Sequence, residues 1–190
     1  MAGLVERYGR LSVGDRKRGR PPDAYGSLVR SLIGQQLSVK AARAIYGRLA
    51  ELCGGVPTST EILAADSAEL RQVGLSGAKV SYLRDLAEHL GDGRLDLDRL
   101  GDRSDEDIVA ALTAVKGFGE WTAQMFLIFH LERPDVLPLG DLGIRRAVER
   151  LYGLPDRPGP AELAKLAEPW RPYRTLACLY LWQSLDIQPA

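Results

Sequence analysis

The sequence predicts an all-α fold, and three observations carry that prediction. Apolar residues recur at three- and four-residue spacing through most of the 190 positions. Ser, Thr and Asp stand just ahead of these stripes, where a helix needs an oxygen for its free first-turn amides. No alternating run of β-branched residues reads as a strand. Together they predict about eight to ten short helices.

Taken in order, "RYGRLSVGDRKRGRPPDAYG" (7–26) reads as a helix followed by a loop, or as an arm. Ser38 opens "SVKAARAIYGRLAELCGG" (38–55), where Val39, Ala42, Ile45, Leu49 and Leu52 share a face and Gly54–Gly55 ends the helix. Thr58 with Glu61, and Asp66 with Glu69, are capping-box pairs that open two short helices. Ser76 leads into 77–93, with Val80, Leu83, Ala87 and Leu90 on one stripe. Ser104 with Asp107 precedes a helix whose Ile108, Leu112 and Val115 face one way. "RPDVLPLGD" (133–141) is too broken by Pro and Gly to be helical. Helices resume at 142–152, at 160–168 and from Pro172, with Pro160 and Pro172 suited to first turns.

Composition narrows the function. Apolar residues make up 45% and charged residues 26%, values of an ordinary globular domain or of two small lobes. No apolar run reaches membrane-spanning length, and the first residues lack a signal-peptide core, which predicts a cytoplasmic protein without a membrane partner. Two cysteines (Cys53, Cys178) and two histidines (His89, His130), all far apart, do not assemble a His/Cys metal site or a Ser-His-Asp triad. Lys and Arg balance Asp and Glu at 25 each, so any nucleic-acid contact must rest on local patches or backbone amides. The basic clusters "DRKRGR" (15–20) and "IRRAVER" (144–150) each read first as solvated faces.

The stretch "TAVKGFGEWTAQMFLIFH" (113–130) is the informative one. Gly costs about 1 kcal/mol relative to Ala inside a helix, yet Gly117 and Gly119 interrupt an otherwise helical run. "KGFG" therefore reads as a tight turn between two helices. Such a turn is either a simple helix–helix corner or an anion site, where free amides at a helix N-terminus meet a phosphate.

"LTAVKGFGEWTA" (112–123), followed by "RPDVLPLGDLGIRR" (133–146), resembles the helix-hairpin-helix motif and Asp-bearing loop of the DNA glycosylase superfamily. Lys116 stands where that family usually has Pro. "SLIGQQLSVKAA" (31–42) resembles the family's early helix pair around a Gln-rich turn. "AEPWRPYRTLACLYLWQSL" (167–185) looks like the closing helix of its alkylation-repair branch, the bacterial 3-methyladenine DNA glycosylase II type. The resemblance covers about residues 25–185. It implies a single helical glycosylase domain over 1–190 with two lobes flanking a DNA-binding cleft. Lobe one would span about 25–130, including the hairpin at 112–123, and lobe two about 1–24 plus 131–190. Well-known members of the branch carry an additional N-terminal α/β lobe, for which this chain is too short.

The resemblance also implies the chemistry. Such enzymes rotate a damaged nucleotide out of the duplex and break its C1′–N bond while positive charge develops on the sugar. A fixed carboxylate stabilises that charge. Asp141 aligns with the family's aspartate. From its own setting it is an N-cap, and both roles are compatible. Asp135 reads as a loop-turn residue. Members that also cut the backbone carry Lys two residues after the second hairpin Gly. Here Trp121 stands there, implying a monofunctional hydrolase that forms no Schiff base. Two cysteines cannot build the four-Cys iron–sulfur cluster of another branch, so no cofactor is expected.

Trp121 and Trp182 resemble the branch's aromatic wall for cationic bases, although each alone also reads as core. Met125 stands where Tyr is frequent. For DNA the resemblance implies Lys116, Gly117, Phe118, Gly119 and Thr122 at the hairpin, and Arg145 and Arg146 at phosphates. Gln36 would fill the gap left by the extruded base, or else bond its own backbone. The carbonyls of Thr113, Val115 and Phe118 would hold a monovalent cation.

The expected substrate is duplex DNA with alkylated purines, and the expected enzyme is a monomer whose product passes to an abasic-site endonuclease. A glycosylase for deaminated or mispaired bases and a catalytically silent DNA-binding module are the alternatives.

Overall fold

The computed structural model describes residues 2–16 and 21–185, and every regular element among them is helical. In chain order these are α1 (Ala2–Tyr8), α2 (Val13–Arg16), α3 (Ala24–Gly34), α4 (Val39–Leu52), α5 (Ser59–Ala64) and α6 (Ser67–Gln72). Then come α7 (Gly77–Gly91), α8 (Asp105–Thr113), α9 (Glu120–Phe129), α10 (Leu142–Tyr152), α11 (Pro160–Leu166) and α12 (Arg174–Ser184). Two 3-10 turns, Leu100–Asp102 and Glu168–Trp170, complete the set. There are more helices than the eight to ten expected, because residues 2–16 form two short ones. Positions 17–20 of the basic cluster lie outside the described residues.

The chain divides into two compact units, Gly19–Phe126 and Met1–Arg18 with Leu127–Pro189. The first, called here the hairpin unit, is organised by local caps. Asp23, Ser38, Ser76 and Ser104 each accept an amide of the following first turn. Thr58/Glu61 and Asp66/Glu69 form complete capping boxes. Each such cap is worth about 1 kcal/mol, enough to set where a short helix begins. Helix α7 packs against α3, α5 and α6, and Leu28, Leu32, Ile33, Ile62, Leu83 and Leu86 have no exposed surface. The buried face of α7 also includes Asp85 and His89, two polar residues among apolar ones.

In the second unit, the aspartate unit, Asp141 caps α10 locally, whereas α12 is capped from a distance. Helix α12 packs against α1 and α10. The Tyr180 hydroxyl donates to the Gly9 carbonyl (2.8 Å) and accepts the Leu11 amide (3.3 Å), tying the N-terminal segment to α12. Helix α12 begins at Arg174 rather than at Pro172, for a non-local reason. Its first amides are taken by the 133–141 loop: Arg174 N–H donates to Asp135 Oδ1 (3.3 Å) and Thr175 N–H to the Pro134 carbonyl (3.0 Å). Cys178 is fully buried, as a small apolar residue would be, whereas Cys53 is only partly covered.

Candidate functional site

The residues singled out from the sequence fall into both units. In the hairpin unit, α8 and α9 are joined by residues 114–119. Gly117 has φ +81°, a left-handed conformation that glycine adopts without strain. A Cβ there would also overlap the Tyr82 ring, so position 117 is closed to side chains twice over. Phe118 is buried, and its amide closes the turn onto the Val115 carbonyl (3.1 Å). Among the described residues, the amides of Gly117 and Gly119 take no intrachain acceptor, which suits them to an anion.

Lys116 is placed differently from the simple phosphate contact expected. Its amide donates to Asp85 Oδ2 (2.8 Å), and its ammonium lies 3.2 Å from Asp85 Oδ1. Burial pushes the Asp85 carboxyl up, but the Lys116 amide and ammonium and nearby His89 outweigh it and hold the group below its usual range. Asp85 thus clamps the entry to the hairpin from the centre of α7. The Lys116 ammonium remains largely exposed at 70%, so its charge still reaches solvent.

Thr122 is buried, with its hydroxyl 3.5 Å from Gln35 Nε2, so it faces the interior and not a phosphate. Trp121 is half-buried, while Met125 is buried at 2% exposure and offers no open face. Gln36 is exposed and has φ +59°, unusual for a residue with a Cβ, and its neighbour Leu37 is exposed as well. Gln35 and Lys79 were not singled out from the sequence. Their partners lie tens of residues away, so no local pattern marks them.

In the aspartate unit, Asp141 is the N-cap of α10, with 8% of its surface exposed. Its Oδ1 accepts the Ile144 amide (2.8 Å) and the Trp182 indole N–H (3.1 Å). Trp182 has no exposed surface, and its ring stacks on Phe129 with centroids 5.9 Å apart. Trp182 therefore is not an open stacking wall; it holds the carboxylate. Arg145 is also redirected, since its Nε donates to the Pro158 carbonyl (2.7 Å) and braces the loop after α10. Arg146 is exposed.

Asp135, six residues earlier in the same loop, is spent structurally. Arg174 Nε and Nη2 reach its two oxygens at 2.7 and 2.9 Å, and Arg171 Nη1 reaches Oδ2 at 2.8 Å. Thr175 adds a second stitch, donating to the Arg133 carbonyl (2.6 Å) and accepting the Val136 amide (3.0 Å). The loop is thus fastened at 133–136, which fixes where Asp141 stands at its far end.

A model of the HhH-GPD superfamily of base excision DNA repair proteins matches residues 29–172. The chain is 36% identical over 192 residues to DNA-3-methyladenine glycosylase 1 of Schizosaccharomyces pombe, covering 97% of this chain and 84% of that protein. It is 30% identical over 197 residues to DNA-3-methyladenine glycosylase 2 of Escherichia coli, covering 98% of this chain and 66% of that one. Among solved structures, the Schizosaccharomyces pombe 3-methyladenine glycosylase in complex with abasic DNA superposes with a TM-score of 0.85 at 33% identity, covering 100% of this chain and 92% of that one. A DNA-3-methyladenine glycosidase from Bacillus halodurans gives 0.80 at 39% identity, covering 95% and 86%. Hairpin, loop and capped aspartate, in that order along one helical chain, agree with the match: this protein belongs to the HhH-GPD superfamily of base excision DNA repair proteins.

Proposed function

We propose that the chain is a monofunctional DNA glycosylase that everts alkylated purines, of the 3-methyladenine and 7-methylguanine kind, and hydrolyses their N-glycosidic bond. The seat of Asp141 supports this most: one carboxylate oxygen held by a backbone amide and an indole N–H at the head of α10. Both of those donors are neutral, and they orient the carboxylate. As the C1′–N bond breaks, positive charge spreads over the sugar, and the fixed carboxylate stabilises it. Water then forms the C1′–O bond and gives its proton to Asp141. An alkylated purine is cationic before it leaves and departs neutral, so it needs little base-specific bonding. The names of the similar proteins above support the same substrate class.

In this reading the Gly117 and Gly119 amides, with the Lys116 ammonium, grip a phosphate, and Gln36 enters the gap left by the everted base. Trp121 offers its half-buried ring to that base. The Thr113, Val115 and Phe118 carbonyls would bind a monovalent cation beside the phosphate. The donor set fits: three neutral oxygens, of which Val115 already accepts only the Phe118 amide. The enzyme would act as a cytoplasmic monomer and pass its abasic product to an endonuclease.

The test is a chromatographic profile of bases released from methylated and from deaminated duplex DNA, with borohydride trapping in parallel. Release of methylated purines with no trapped covalent adduct is expected. Release of deaminated bases alone would name another substrate. No release would leave a binding module, and a trapped band would reveal an amine nucleophile.

A further inference from the structure

Between the exposed Gln36 and the hairpin stands Gln35, whose side chain runs the other way. Its Nε2 donates to the Gly117 carbonyl at 2.8 Å and lies 3.5 Å from the Thr122 hydroxyl, reaching the turn and the first turn of α9 at once. Its own carbonyl accepts the Lys79 ammonium at 2.8 Å, and the same ammonium takes the Ile33 carbonyl at 2.7 Å. Lys79 thus closes the C-terminus of α3, where the orphan carbonyls favour a cation. The Leu37 amide returns to the Gly34 carbonyl at 3.1 Å and completes the tight turn. Within that turn Gln36 is held at φ +59°, a conformation that persists only where surrounding bonds over-determine it.

We propose that Gln35 is a positioning residue that bolts the Gln36–Leu37 tip to the DNA-gripping hairpin. The inference rests on the glycosylase reading given above. Two tasks must be coordinated in such an enzyme. One loop holds the backbone while another side chain occupies the space of the departed base, and a yielding connection would let the duplex close again. The Gln35–Gly117 bond joins those two pieces directly, across 82 positions of sequence. Lys79 fixes the turn from behind, so a push on the tip is transmitted to the hairpin. Gln35 touches neither the base nor the sugar in this scheme; it acts through Gln36.

The test compares 7-methylguanine release, in single turnover with enzyme in excess, from two substrates. In one the lesion is fully paired; in the other it sits in a short unpaired bubble that needs little help to open. The variants are Gln35→Leu, Gln35→Ala, Gln36→Ala and the Gln35→Leu/Gln36→Ala pair, with circular dichroism recording the fold. For Gln35→Leu and Gln35→Ala, the ratio of paired to bubble rates should fall about tenfold, with the bubble rate nearly unchanged; Gln36→Ala should lower the same ratio. The double variant should lose no more than either single, because both remove one device. Equal losses on both substrates, or losses that multiply in the double variant, would overturn the inference. If Gln35→Leu does not fold, Gln35→Ala decides by the same ratio. A wild-type protein that releases no methylated purine from either substrate would instead overturn the glycosylase reading, and this inference with it.

Discussion

Asp135 and Asp141 lie in one loop, six residues apart, and the structure uses them in opposite ways. Asp135 meets two guanidinium groups, with a two-pronged contact from Arg174 and a further contact from Arg171. Asp141 accepts the Ile144 amide and the Trp182 indole N–H. The guanidinium groups on Asp135 fasten the loop through charged hydrogen bonds, whereas the amide and indole N–H orient Asp141 at the head of α10. The loop is fastened through Asp135, and Asp141 caps α10 at its far end. The comparison explains why the 133–141 segment, too broken for a helix, still has a defined course.

Three substitutions probe the contrast, in order of expected effect. Asp141→Asn keeps an acceptor for Ile144 but removes the charge. We expect base release to drop at least a hundredfold, about 2.7 kcal/mol of barrier, in single-turnover assays, with duplex binding retained. A loss under tenfold would move the chemistry to another group. Trp182→Phe keeps a ring against Phe129 and deletes the indole N–H. Hydrogen bonds to charged groups contribute about 1.5–3 kcal/mol, so a lower melting temperature and a rate loss of roughly tenfold or more are both expected. Loss of stability without loss of rate would make Trp182 a packing residue only.

Asp135→Asn should act on stability instead of rate, costing about 1–2 kcal/mol, or about 2–8 °C of melting temperature, while the rate falls little. Here pH sharpens the comparison. Burial pushes the Asp135 carboxyl up, but Arg174 and then Arg171 hold it below its usual range. A depressed carboxyl contributes stability that is present above its unfolded value of about 4 and is lost as pH falls through the folded value. Acid titration of the wild type should therefore show a destabilising limb below about pH 4, and Asp135→Asn should flatten it. An unchanged limb would assign the acid sensitivity to other carboxylates, such as Asp85.

The division between what the sequence discloses and what it hides follows the range of the interactions. Capping boxes at Thr58/Glu61 and Asp66/Glu69 act over three residues, so their letters alone predict the helices they open. Asp141 is legible for the same reason: its cap to Ile144 is local. The start of α12 is not, because Asp135 and Pro134 take its first amides from 39 and 41 positions away and override the cue of Pro172. The same holds for Lys116, whose exposed charge suggests a phosphate while its amide is committed to Asp85, 31 residues earlier. Trp182 shows a further limit. Apolar spacing puts it on a helix, but only the fold reveals that its N–H meets Asp141.

In the proposed reaction a held negative charge at position 141 matches a sugar turning positive. The most direct measurement is binding to duplexes in which the target deoxyribose is replaced by a protonated pyrrolidine or by a neutral tetrahydrofuran of the same shape. The wild-type protein should bind the cationic ring at least tenfold more tightly, a preference of about 1.4 kcal/mol, and Asp141→Asn should erase the difference. Equal affinity for the two rings, or a preference that survives in Asp141→Asn, would contradict it.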